Sequence, residues 1–151
     1  MRAKPPSCET CPARDWGVGF VPPSGPKAAT IAFVGQGPGQ QEAEFDQPFH
    51  DRAPAGWRLR HWIQQVDHPN LRERNVTFAN VVWCWLPEGS RGGVPYGNRA
   101  PTTDEIPFCT SRHLVPWLAT LPNLERVVPV GVPAAGYFLG PERAKDKYLG
   151  T

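Results

Sequence analysis

Four cysteines in a chain of 151 residues are the side chains with the most chemistry to offer. Cys8 and Cys11 form a Cys-x-x-Cys pair near the N-terminus; Cys84 and Cys109 follow much later, well apart from each other. A close pair and two distant thiols can close a tetrahedral four-thiolate site, and both zinc and a 4Fe–4S cluster accept that set. Spacing alone does not choose between them. A plainer alternative keeps only the Cys-x-x-Cys pair as chemistry and leaves Cys84 and Cys109 as small buried hydrophobes. Two disulfides are the weaker reading. The N-terminal "MRAKPPSCET" has no apolar core and so is no signal peptide. That points to a cytoplasmic chain, where disulfides rarely persist.

The elements that must carry these residues follow from the hydrophobic pattern. "ATIAFVGQGPGQQ" (29–41) is a continuous apolar strand running into a Gly/Pro turn, as a buried parallel strand does. In "WRLRHWIQQV" the residues Leu59, Trp62, Ile63 and Val66 recur at helical spacing and predict one buried helix face. "NVTFANVVWCWLP" (75–87) is β-branched and aromatic and predicts a second strand that stops at Pro87. The turn residues of 88–101 predict a long loop. The next segment is helical: Thr102 and Glu105 fit a capping box, and Pro116 should kink or split the helix. "ERVVPVGVPAAGYFLG" (125–140) adds a third short strand, a turn and a helix.

Strand and helix alternate three times, which predicts a three-layer α/β/α domain on a short parallel sheet, one domain over 1–151. In such folds ligands sit beyond the carboxyl ends of the strands. Here those ends carry "GQGPG", "CWLP" and "GVP", which gather on one rim. Net charge is only +2, so nucleic-acid binding would need a local basic patch. No apolar run reaches the ~20 residues of a membrane span.

Several stretches carry a resemblance. "FVGQGPGQQEAEFDQPFHDRAPAGWRLR" resembles the first motif of the uracil-DNA glycosylase superfamily, a strand ending in Gly-x-x-Pro-Gly followed by a Pro-Phe pair and a Gly before a helix. "FANVVWCWLP" resembles its second strand, with Asn at the end and a cysteine beyond. "NRAPTTDEIPFC" resembles the element that supplies the last cysteine, and "VVPVGVPAAGYFLG" the third strand and its turn. Their order and spacing, from Cys8 to about Gly140, resemble the family 4, iron–sulfur type. The segment "EGSRGGVPYG" looks like an insertion between the last two cysteines.

The resemblance implies a 4Fe–4S cluster on Cys8, Cys11, Cys84 and Cys109, pinning the N-terminal segment 1–28 and the loop 88–101 as a structural staple. It implies a monomer that excises uracil from single- or double-stranded DNA in base excision repair, with no membrane partner. The uracil site would comprise Gly35, Gln36, Gly37, Phe49 and Asn80. A Phe in a rigid loop offers a stacking face, and an amide presents the donor and acceptor that match a pyrimidine edge. The turn at 35–39 would bring backbone N–H groups to the base, with Gln36 positioning water. DNA would be held by Arg91 and Arg99, flanking Tyr96, with Arg52, Arg58, Arg60 and Arg112 as further cations.

Two departures bear on activity. Family 4 usually has Glu where this chain has Gln36, and an amide orients water but cannot take its proton. The late His-Pro-Ser-type motif that follows a fourth strand has no counterpart in the 151 residues; His113 is the last histidine. Excision is therefore expected to be slow or absent. Two alternatives stay open: a non-catalytic iron–sulfur module that binds DNA or uracil, and a small zinc-stapled interaction protein.

Overall fold

The computed structural model describes residues 1–144. Its centre is a three-stranded parallel sheet in the order β2-β1-β5, formed by β1 (Ile31–Gly35), β2 (Val76–Asn80) and β5 (Arg126–Pro129). Every residue of β1 and β2 is buried, which explains their unbroken apolar character. The register sets Gly35 opposite Asn80 and Val34 opposite Pro129. The three strand ends therefore meet at one rim, as the turn residues predicted.

Helix α1 (Gln40–Glu44) leaves the first turn, and α2 (Pro54–Gln65) follows with Pro54 in its first turn. The expected apolar face of α2 is only half realised. Leu59 is buried (9 % exposed), but Trp62 and Val66 stand in solvent at 59 % and 51 %. Helical spacing selects a face without saying how much sheet lies beneath it, and a sheet of three strands covers only part of that face.

Two further predictions are corrected. β2 ends at Asn80, not at Pro87; residues 81–86 leave the sheet as an irregular segment that stays buried. The loop 88–101 contains an antiparallel hairpin, β3 (Gly89–Arg91) and β4 (Val94–Tyr96). Gly92 and Gly93 turn it with φ of 57° and 80°, the conformation a two-residue hairpin turn demands.

The cysteine-bearing helix runs as α3 (Glu105–Cys109), a π-helical turn (Thr110–Leu114) and α4 (Val115–Ala119). Pro116 lacks an N–H, and the chain accommodates it by widening into the π turn just before it. The capping box forms: Thr102 N–H donates to Glu105 Oε2 (2.8 Å) and Glu105 N–H to Thr102 Oγ1 (3.3 Å). Helices α5 (Val132–Leu139) and α6 (Pro141–Ala144) close the described chain. The N-terminal segment lies antiparallel along the sheet and the segment after it. Ser24 and Phe78 exchange backbone hydrogen bonds, as do Val18 and Trp85.

Candidate functional site

The rim holds a pocket of about 630 Å³, well within the range of small-molecule sites, about 300–1,000 Å³. Gly35, Gln36, Gly37, Phe49 and Asn80 all line it, as does Arg99. A Cβ on Gly35 would meet Asn80 Oδ1 at 2.5 Å and Phe49 Cζ at 2.6 Å, so only glycine lets both side chains close over that strand end. Asn80 is 2 % exposed, and its Nδ2 has no hydrogen-bond partner among the described residues. A buried donor left unpaired is costly, and in native structures it asks for a reason.

Phe49 sits at φ 50°, an unusual conformation for an aromatic residue. Three contacts hold it there. Its N–H donates to Glu42 Oε1. Its carbonyl accepts from Arg60 Nε at 2.7 Å. Its ring packs against Phe78, 5.8 Å away. Glu42 also accepts from Gly39 N–H through Oε2 (2.9 Å), so one carboxylate ties the Gly/Pro turn to the Phe49 loop. Burial pushes the Glu42 carboxyl above the usual carboxylate range, opposed by its two backbone hydrogen bonds. The sequence reading did not single out Glu42. The residue type carries no signal, because its role depends on the loop doubling back to bring residue 49 beside residue 42.

Gln36 is at the pocket wall, where its Nε2 donates weakly to the Arg99 carbonyl (3.4 Å). The cations divide. Arg99 is held by two hydrogen bonds to Glu105, at 2.8 and 2.7 Å, and this pairing draws the Glu105 carboxyl below the usual range. Arg60 is taken by the Phe49 carbonyl and lies 4.4 Å over the Phe78 ring. Arg112 reaches the Ser7 carbonyl. Arg91 is outside the pocket lining, on the hairpin, 4.7 Å over the Tyr96 ring. Arg52 stacks on Phe45, and Arg58 is exposed.

A second, enclosed cavity of about 20 Å³ lies behind the pocket wall, and all four cysteines line it. The thiols are free, and burial pushes those of Cys84 and Cys109 up to about 12. Phe20, Trp83, Phe108 and His113 complete an apolar shell, with Lys4 and Glu105 at its edge. The Lys4 ammonium donates to the carbonyls of Ala13, Arg14 and Gly17, which closes the loop after Cys11. Cys84 borders both cavities. Among the described residues no three His, Cys, Asp or Glu side chains gather closely enough for one metal ion to hold them.

The order of these parts along the chain is diagnostic, and the profile of the uracil DNA glycosylase superfamily matches residues 22–150. The chain belongs to the uracil DNA glycosylase superfamily. Three curated proteins, each named type-4 uracil-DNA glycosylase, are similar to it. The one from Sulfurisphaera tokodaii is 30 % identical over 143 residues, spanning 95 % of this chain and 53 % of that protein. The one from Thermotoga maritima is 29 % identical over 132 residues, 87 % of this chain and 60 % of its own. The one from Archaeoglobus fulgidus is 31 % identical over 103 residues, 68 % and 45 %. The chain thus spans about half the length of the curated relatives it matches. Among the described residues no helix is long and apolar enough to cross a membrane.

Proposed function

We propose that the chain takes uracil from DNA into the rim pocket and supports hydrolysis of its N-glycosidic bond. The observation that carries this reading is the Asn80 amide, buried at the pocket wall with an unpartnered Nδ2. An amide so placed is satisfied by a ligand with an acceptor beside a donor, which a pyrimidine edge supplies. Phe49 offers a face locked in place by Glu42, Arg60 and Phe78, so a base stacks without first ordering the loop. Gln36 keeps a carbonyl oxygen that orients water but takes no proton from it. A positioned carboxylate base typically contributes about 10²–10⁴ in rate, and that contribution is absent here. Arg91, Arg52 and Arg58 are the cations left to meet phosphates, whereas Arg99 acts first as a brace on Glu105.

The four thiols suit a 4Fe–4S cluster better than a single zinc. Zn–S bonds of 2.3 Å would draw four sulfurs to about 3.8 Å from one another. These sulfurs surround one cavity without converging on one point. Either metal's positive charge would turn the buried thiols into thiolates, so their raised position does not choose between the two, and the apolar shell keeps water from such a group. Cys8, Cys11, Cys84 and Cys109 would hold the cluster, and it would tie together three separate stretches of chain.

Base release from a single-uracil oligonucleotide by iron-loaded protein tests the reading, with Asn80→Ala as its control. Slow release in the parent and none in Asn80→Ala is expected. Preferential binding of the uracil strand without release would favour the binding-only module, which the non-basic Gln36 already suits. Neither release nor preferential binding would end the reading.

A further inference from the structure

Besides the Phe20 ring at 5.7 Å and the Val21 N–H on its carbonyl, Trp83 meets both the cysteine site and the strand end. Its backbone N–H donates to Cys109 Sγ (3.3 Å). Its indole N–H donates to the Asn80 carbonyl (2.8 Å). Its ring stacks on His113, 5.3 Å between centroids and 28° between planes. His113 stands in the π-helical turn, buried, with Nε2 3.3 Å from Cys8 Sγ and Phe20 edge-on to its ring at 5.2 Å. Neither Trp83 nor His113 lines the rim pocket; both line the cysteine cavity. One continuous set of contacts therefore runs from two of the four sulfurs to the backbone of the residue whose amide faces the pocket.

We propose that Trp83 is the positioning residue for Asn80 and that His113 clamps it, so that the state of the cysteine site sets where the Asn80 amide stands in the pocket. The proposal deepens the uracil reading and rests on it for the pocket's ligand. Asn80 is the last residue of β2, and beyond it the ladder holds only through Val81 N–H to the Gly35 carbonyl and Val82 N–H to the Gln36 carbonyl. The last sheet-bonded peptide, Asn80–Val81, is thus held through its N–H by Gly35 and through its carbonyl by the Trp83 indole. The indole is itself packed against the His113 and Phe20 rings, and its backbone is held by the N–H donated to Cys109 Sγ. π turns inserted in α-helices commonly mark such special positions.

Trp83→Phe keeps an aromatic ring on His113 and removes the N–H to Asn80. His113→Phe keeps the stack and removes the contact to Cys8. His113→Gln keeps a donor and removes the stack. Three readouts are taken on iron-loaded protein: iron and sulfide per chain, hydrogen exchange at Val81 and Val82, and binding of a uracil oligonucleotide against its thymine counterpart. Trp83→Phe should retain iron and sulfide, exchange about tenfold faster at Val81 and Val82, and lose about tenfold in uracil preference, as one buried hydrogen bond commands. His113→Gln should speed exchange at the same two amides. His113→Phe should leave them near the parent rate while losing iron more readily. Chelating the iron from the parent protein should reproduce the Trp83→Phe exchange pattern with the β1 amides still protected. Parent-like exchange and preference in Trp83→Phe would overturn the proposal. So would a rise on chelation shared equally by the β1 amides and by Val81 and Val82. If Trp83→Phe does not fold, exchange in His113→Gln decides. A parent protein without uracil preference would sink the uracil reading, while exchange at Val81 and Val82 would still decide the coupling.

Discussion

Gly35 is where the pocket is most tightly specified. Gly35→Ala would thrust a methyl group between Asn80 Oδ1 and Phe49 Cζ, both under 3 Å from the new atom. Overpacking of this kind costs about 1–3 kcal/mol. The expected result in urea unfolding is a loss in that range; on the proposed reading of the pocket, uracil binding should fall further because both pocket side chains must move. Glu105 gives a pH test. Its carboxyl is held low by Arg99 and by Thr102 N–H, so its stabilising contribution is complete above the unfolded-state value of about 4.3 and disappears as pH falls through the lower folded-state value. Glu105→Gln should therefore be less stable than the parent by about 1–3 kcal/mol at neutral pH, and the gap should narrow only below about pH 4. A gap independent of pH would show that the pair contributes no charge term. That Gly35, Phe49 and Asn80 would share one rim was legible from the motifs whose resemblance they carry and from the strand-end turns, and all three line the pocket. Glu42 and the commitments of Arg60 and Arg99 were not, because residue type does not record which partner the folded chain brings.

At the scale of elements, legibility followed burial. The strands β1 and β2 announced themselves through unbroken apolar runs, since both of their faces are covered. Segment 81–87 has the same composition and is equally buried up to Leu86, yet it is no strand. Val82, Trp83 and Cys84 line the cysteine cavity and Leu86 the rim pocket, and composition does not separate that fate from a sheet. For α2 the period was right and the width of the buried face was not. Leu59→Ala should cost about 2–5 kcal/mol as a buried truncation, whereas Trp62→Gln should change stability by no more than about 0.5 kcal/mol. Thermal unfolding of the two variants in parallel checks this. A large loss at Trp62 would mean that the indole contributes packing its exposure does not suggest.

The molecule as a whole is a small sheet whose N-terminal arm is attached by two different means. From Val18 onward the arm is held by backbone pairing, Val18 with Trp85, Val21 with Trp83 and Ser24 with Phe78. Before Val18 the ties outward are sparser. Among the described residues they include an Arg2 N–H to Asp46, the Arg112 guanidinium on the Ser7 carbonyl, the packing of Ala13 in the core and of Gly17 on Cys84, and the two cysteines facing Cys84, Cys109 and His113 across the cavity. Lys4 closes the Cys-x-x-Cys loop upon itself but fastens it to nothing else. A metal group bridging the thiols would therefore contribute most of the attachment of residues 1–17, because its binding free energy becomes folding free energy wherever the site does not exist unfolded. Trypsin provides the measurement. In iron-loaded protein the Arg14–Asp15 bond should resist cleavage. After chelation it should be cut first, leaving a fragment that starts at Asp15 and keeps the paired stretch from Val18 onward. Early cleavage at Arg14 before chelation would show that the thiols do not staple the arm. Equal protection after chelation would show that the hydrogen bonds of Lys4 and Arg112 suffice, and that the four cysteines are wall rather than ligand.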